Sequence, residues 1–167
     1  MRRLIFCLLP LYALSACAGM ASPRQTLAVG LSTEAEVLDR FGRPVRAWPN
    51  ADGGQTLEYS TQPFGQTCWM ATLGPDGRLL RLEDTLVEAS RFRVAVSMTP
   101  EQVSRLLGQE RSRVFYRFSA EDVWDWNVAP DALGSPPLRF NVHFKHGVVL
   151  RTSQSVVYPD RRFPFGD

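Results

Sequence analysis

The chain has 167 residues, 44% of them hydrophobic and 22% charged, enough for one sizeable domain or two small ones. Its 19 basic and 17 acidic residues give a net charge of +2, and loss of Arg2 and Arg3 with the first 16 residues would leave the two signs balanced. Arginines and carboxylates are interleaved along the chain, with Lys145 as the single lysine. A protein that binds a phosphate backbone needs a basic stripe, so we do not expect nucleic acid as a partner.

Residues 1–16 have the layout of a secretory signal peptide. Arg2 and Arg3 precede an uncharged apolar run over 4–14 that is interrupted by Pro10. A membrane-spanning helix needs about 20 apolar residues, so this run is too short to cross a bilayer. We therefore predict that residues 1–16 direct export and are then removed.

The stretch LSAC, from Leu14 to Cys17, resembles the lipobox of bacterial lipoproteins. The resemblance implies that Cys17 becomes the N-terminus and carries fatty acyl chains such as palmitate, and two or three such chains hold a protein stably on a bilayer. Ala18, in place of an aspartate, resembles the sorting signal for the outer membrane, so the expected location is its periplasmic face. Residues 17–28 would be a tether. The alternative is an ordinary signal peptide in which the cysteine is accidental.

Two segments, 29–44 and 96–110, share the pattern of a short capped helix that ends at a glycine. Each has a threonine followed three residues later by Glu or Gln, the signature of a capping box, and each ends at a glycine where a left-handed residue is expected. The caps are Thr33 with Glu36 and Thr99 with Gln102, the glycines are Gly42 and Gly108, and the predicted core positions are Val37, Leu38, Phe41, Val103, Leu106 and Leu107.

After each glycine, apolar residues recur at every second position, which predicts strands. In the first half, Leu57 and Tyr59 alternate with polar residues, and the turn GPDG at 74–77 joins two further strands in a hairpin. The second half has the same order, with a turn at 146–147.

This order predicts an α+β fold of two tandem repeats, each a helix on an antiparallel sheet, at 29–92 and 93–157. The other face of each sheet would be left to water or to a partner. The alternative is that two unrelated α+β segments look alike. We expect residues 158–167 to form a flexible tail, or a segment that docks on the protein's own sheet or on a partner.

The lipobox, the stretch MTPEQVSRLLG at 98–108 and the aromatic strands after it resemble the SmpA/OmlA (BamE-like) family of outer-membrane lipoproteins. The resemblance implies a protein-binding role in outer-membrane protein assembly. That family has one such unit, and two in tandem are similar to the β-lactamase inhibitor proteins, which also bind proteins. The family's Gly-x-Pro is present at 42–44 but is Gly-Gln-Glu at 108–110.

No pattern of residues indicates catalysis, a cofactor or a metal site. His143 and His146 stand three apart near a turn, where solvent-facing residues are the favoured interpretation and a metal site the alternative. Glu121, Asp122 and Asp125 could supply a glycosidase's two carboxylates, but their position between tryptophans is more typical of the solvent side of a strand. An enzyme is therefore the least favoured class.

Removal of the signal would take Cys7, and acylation would occupy Cys17, so Cys68 would be the one free thiol. We expect it to be buried, the alternative being an intermolecular disulfide.

Aromatic residues are numerous for two small sheets, and alternation prevents all of them from facing one core. Core packing should take most of them, and the candidates for contact with a partner are Trp69, Phe115, Trp124 and Trp126. If Trp124 and Trp126 are buried together, then Phe115, Val123 or Trp69 would form the exposed surface.

The expected function is that of a lipid-anchored envelope protein that binds a protein partner as an accessory or scaffold factor. The alternative is a periplasmic inhibitor or ligand-binding module of the β-lactamase inhibitor type.

Overall fold

The computed structural model describes residues 27–130 and 135–158. The signal peptide, Cys17, most of the tether and most of the tail lie outside the described residues. The helices are α1 (Glu34–Phe41), α2 (Glu88–Arg91) and α3 (Pro100–Leu107). The strands are β1 (Arg46–Pro49), β2 (Gln55–Ser60), β3 (Cys68–Leu73), β4 (Leu79–Asp84), β5 (Ser112–Tyr116), β6 (Glu121–Val128), β7 (Leu138–Lys145) and β8 (Val148–Val156).

The strands form two four-stranded antiparallel sheets, in the orders β1-β2-β3-β4 and β5-β6-β7-β8. The fold is therefore a mixed one of helices and antiparallel sheets. Both predicted hairpin turns are confirmed. Gly77 closes the first with φ 74°, and His146 and Gly147 form the second with φ 54° and 78°, the positive values that a two-residue hairpin turn needs.

The predicted caps of α1 and α3 are confirmed. The side chains of Thr33 and Thr99 each accept a hydrogen bond from the backbone N–H three residues on. In turn, the side chains of Glu36 and Gln102 accept hydrogen bonds from the backbone N–H groups of Thr33 and Thr99. One core prediction was wrong: Leu38 is 38% exposed, because the sheet beneath α1 is met by Val37 and, one turn on, by Phe41.

Gly42 and Gly108 end these helices with φ of 77° and 79° but ψ of −152° and −165°. This is not the left-handed helical conformation that the sequence predicted. It is an extended conformation at positive φ, a region that is essentially reserved for glycine.

The first sheet has a core on the face that meets α1. Its buried residues are Leu27, Val37, Leu57, Tyr59, Ala71, Leu73, Leu79 and Leu82. This agrees with the predicted packing of a helix on one face of an antiparallel sheet.

The other face of the first sheet is covered by α3 of the second half of the chain. Cys68 and Met70 of β3 pack with Val103 and Leu107 of α3. Glu58, which alternates with Leu57 and Tyr59 and would face water in an isolated half, is fully buried here. The partner of this face is therefore the chain itself.

Glu58 is satisfied by donors from both halves of the chain. One carboxylate oxygen accepts from Trp48 Nε1 at 2.9 Å, and the other accepts from the backbone N–H of Gln109 at 2.6 Å. Burial of a carboxylate is costly unless such donors replace water. The contact therefore fixes the end of α3 against the first sheet.

The inner face of the second sheet packs against the same residues of α3, Val103 and Leu107. That face carries Trp124, Trp126, Val128, Phe140, Val142, Phe144 and Val149, all buried in the same cluster as Cys68 and Met70. Trp126 Nε1 donates to the Gly108 carbonyl at 3.2 Å. The halves also meet where Gln62 exchanges hydrogen bonds with the Asn127 backbone. One cluster thus draws on both halves of the chain.

The prediction that Cys68 is buried is confirmed. Burial, followed by the charge of nearby Glu58, raises the pKa of its thiol to about 12. The thiol therefore stays protonated at neutral pH and behaves as a small core residue.

Among the described residues, no helix is long and apolar enough to cross a bilayer.

Candidate protein-binding hairpin

The β5–β6 hairpin carries a group of exposed apolar side chains at one edge of the second sheet. Their exposed fractions are 45% for Val114, 63% for Phe115, 53% for Tyr116 and 110% for Phe118. β5 is the terminal strand of its sheet. An apolar edge strand that is open to water is a template for pairing with another chain, and proteins rarely keep one without a use.

The hairpin is held in a fixed register while its tip projects. Phe115 lies opposite Asp122, and Tyr116 lies opposite Glu121. The turn over 117–120 ends at Ala120, with φ 52°, and carries Phe118. Because the strands are paired up to Tyr116, the exposed rings are presented on an ordered support.

Side chains alternate along β5, so both of its faces carry apolar groups. Phe115 lies on the side of the sheet that carries Trp124, and Val114 and Tyr116 lie on the outer side with Val123. At the base of the hairpin, the Arg113 guanidinium lies 3.8 Å from the centroid of the Trp124 ring and pairs with Glu110. A partner strand added at this edge would meet apolar side chains on both faces.

The outer face of the second sheet also carries a hydrogen-bond network centred on Glu121, the first residue of β6. Its Oε2 lies 2.7 Å from His143 Nδ1 and accepts from Arg151 Nη2 at 3.0 Å. The hydrogen bond with His143, together with the charge of Arg151, lowers the pKa of Glu121 below its ordinary value. Because the low-pKa carboxylate keeps its charge, it ties β6 to β7 and β8.

The same network places Ser153 Oγ at 2.9 Å from His143 Nε2. The order serine, histidine, carboxylate is that of a nucleophile, a base and an orienting group. Here Ser153 Oγ also accepts from Asn141 Nδ2, and Glu121 is neutralised by Arg151. The network lies on an outward sheet face, and its mutual hydrogen bonds account for it as a structural tie between strands.

The three carboxylates of β6 do not lie together, and the prediction that they form a solvent side needs correction. Asp125 and Glu121 share the outer face but are only 7% and 9% exposed. Asp125 pairs with Arg111 through both carboxylate oxygens and accepts from Ser112 Oγ. Asp122 points to the other face and accepts from Trp124 Nε1 at 3.1 Å.

The prediction that His143 faces solvent was wrong, because its side chain is only 12% exposed and contacts Glu121. Only the register of β6 against β7 could have predicted this contact between Glu121 and His143. Val123 pairs with His143, which puts Glu121 diagonally across from it on the same face. His146 stands apart in the turn, and within residues 27–130 and 135–158 no three histidine, cysteine or acidic side chains are grouped to hold a metal ion.

Of the four residues predicted for partner binding, Phe115 is on the surface. Trp124 and Trp126 are 5% and 0% exposed, so their burial against α3 removes them from the candidate surface. Trp69 is half-buried against Phe41. Val123, the other position considered, is also buried. The hairpin residues Val114, Tyr116 and Phe118 were not proposed from the sequence, because alternation alone does not show that β5 is an edge strand.

Comparison with known proteins assigns no family to the chain. No protein-family model matches it, and no curated protein matches it significantly. Among solved structures, it is similar to a Streptococcus mutans protein described as a "putative beta-lactamase inhibitor protein", at 10% sequence identity and a TM-score of 0.31. That match covers 79% of this chain and 91% of the other.

Proposed function

We propose that this protein is a lipid-anchored bacterial envelope protein that binds a protein partner through the β5–β6 hairpin. The observation that carries the proposal is the exposure of Val114, Phe115 and Tyr116 on an edge strand, together with that of Phe118 in the turn that follows it. Aromatic anchors of this kind dominate the energy of protein interfaces, and a free strand edge supplies backbone hydrogen bonds.

The proposed role is that of an accessory or scaffold factor in outer-membrane protein assembly or envelope integrity, without catalysis. It rests on the lipobox at 14–17 and on the resemblance of 98–108 to the SmpA/OmlA family. We further propose that the halves at 29–92 and 93–157 are tandem repeats, since each contains a capped helix followed by a four-stranded meander.

Crosslinking in intact cells tests the binding role. The partner would be identified with the wild-type chain, and its affinity would then be measured for Phe115→Ser and Phe118→Ser. Phe64→Ser is the matched control, because Phe64 is 95% exposed but lies between β2 and β3. Loss of an aromatic anchor costs about 2 kcal/mol, or about 30-fold in affinity. Equal binding by all three variants would overturn the hairpin as the site.

Identification of the partner also separates the classes of function. Outer-membrane assembly proteins would support the proposed role. A bound hydrolase would point instead to an inhibitor, the alternative function.

Fractionation of cells that express Cys17→Ser tests the anchor. We expect the wild-type chain in the membrane fraction, labelled by radioactive palmitate, and the variant unlabelled and released from the membrane. A variant that remains processed and membrane-bound would contradict lipidation at Cys17.

A further inference from the structure

Arg91, the last residue of α2, is buried and forms no ion pair with any residue in 27–130 or 135–158. Its side chain is 5% exposed, and its Nε and Nη1 atoms have no hydrogen-bond partner. Its guanidinium carbon lies 5.8 Å from the centroid of the Phe140 ring. A buried cation without an acceptor is costly, so its retention calls for an explanation.

Arg91 is one of the residues that line a pocket between α2 and β8, the edge strand of the second sheet. The pocket has a volume of about 170 Å³, and its apolar wall is formed by Phe92, Val94 and Phe140. Thr152 and Gln154 of β8 add a hydroxyl and an amide. One buried cation, an apolar wall and a few polar groups are the usual components of a small-ligand site.

The charge around the pocket indicates which ligand would fit. Arg91 forms no ion pair within the part of the chain that the structure describes, although Glu88 lies at the rim. An acidic group that enters would give the guanidinium its missing acceptor, and the planar arginine fork matches a carboxylate. The volume is that of about five or six water molecules, so the ligand or its bound end is small.

We propose that this pocket binds a carboxylate attached to a short apolar group, either a free acid or the C-terminal residue of a peptide. The site lies at β8, and the binding hairpin lies at β5, the opposite edge of the same sheet. The proposal is therefore independent of the proposed function, and either can fail without the other.

Titration of the purified full chain with butyrate tests the proposal, and butyramide is the uncharged control of the same shape. Butyrate should raise the thermal unfolding midpoint and shift the NMR signal of the Arg91 Nε–H, and butyramide should do neither. A dipeptide that ends in leucine, with a free or an amidated C-terminus, distinguishes the sources. Tighter binding of the free dipeptide than of butyrate indicates a peptide end, and the reverse indicates a free acid.

Three variants separate a binding role from a structural one. Arg91→Met should abolish the response to butyrate while raising the midpoint of the unliganded protein, because it removes an unpaired buried charge. Arg93→Met, at an exposed arginine two residues on, should keep the response. Glu88→Gln should tighten butyrate binding roughly two- to fivefold by removing a repulsive charge at the rim.

The proposal is overturned if butyrate and butyramide act alike, or if neither butyrate nor the free dipeptide binds at tens of millimolar. It is also overturned if Arg91→Met retains the response. If Arg91→Met does not fold, the butyrate titrations of the wild type and of Glu88→Gln still test whether the pocket binds a carboxylate.

Discussion

At the scale of single residues, two buried carboxylates have protein hydrogen-bond partners in place of water. Glu58 accepts hydrogen bonds from Trp48 Nε1 and from the backbone N–H of Gln109. Glu121 accepts a hydrogen bond from Arg151 Nη2, and its Oε2 also contacts His143 Nδ1. Because the pKa of Glu121 is lowered in the folded protein, this carboxylate stabilises the fold while it is charged and loses that contribution when protonated.

Replacement of Glu121 by Gln should therefore destabilise the protein in a pH-dependent way. The folded-state pKa of Glu121 lies below the ordinary value of 4.5, so its contribution is fully present above that pH and is lost as the pH falls through the folded pKa. Urea unfolding at several pH values should show Glu121→Gln less stable than wild type at pH 7, with the difference shrinking below pH 4.5.

Glu101→Gln is the control for this series. Its carboxylate belongs to an exposed ion pair with Arg105, and such pairs contribute little. A stability difference for Glu121→Gln that stays constant from pH 7 to pH 3 would contradict the assigned role of the charge.

At the scale of elements, α1 and α3 have the same caps and similar terminal glycines but different surroundings. A Cβ on Gly42 would meet nothing within 4 Å. A Cβ on Gly108 would lie 2.3 Å from Cys68 Sγ and 3.2 Å from Glu58 Oε1. Gly108 thus allows α3 to approach the first sheet closely, whereas Gly42 is required only for its positive φ.

The pair Gly42→Ala and Gly108→Ala separates these two effects. Both should lose about 1–3 kcal/mol from strain at positive φ. Gly108→Ala should lose more, because its methyl group collides with Cys68 and the packed sheet. Thermal or urea unfolding of the two variants gives the comparison, and an equal loss would show that the close approach to Cys68 is unimportant.

The same helices show how far the sequence could predict the fold. The caps of α1 and α3 and the turn at 74–77 depend on neighbouring residues, so the sequence predicted them. Burial of Glu58 depends on α3, which follows it by some 40 residues in the chain, and no local pattern reports that contact. For the same reason the sequence identified Phe115 as a candidate but not the rest of the hairpin.

At the scale of the whole molecule, α3 is shared between the two sheets. Val103 and Leu107 contact a cluster that contains Cys68 and Met70 from the first half and Trp126 from the second. Thr85 Oγ1 also donates to the Leu107 carbonyl at 3.1 Å. Each half therefore completes a core that the other half begins.

A fragment of residues 94–160 should consequently not fold on its own. It would expose the side of α3 that Cys68 and Met70 cover, in a chain near the size at which a single core is marginal. Its near-ultraviolet circular dichroism should lack the tryptophan signals of the full chain, and its thermal unfolding should not be cooperative. A cooperative transition with native tryptophan signals would contradict the shared core.

Site-specific photo-crosslinking in living cells tests whether the β5–β6 hairpin binds a protein. A photoreactive phenylalanine would be placed at Phe115, at Phe118 and, as the control, at Phe64, whose exposure lies between those of the two hairpin positions. We expect one discrete adduct with the same envelope protein from both hairpin positions and none from Phe64. No adduct from the hairpin, or the same adduct from all three positions, would contradict it.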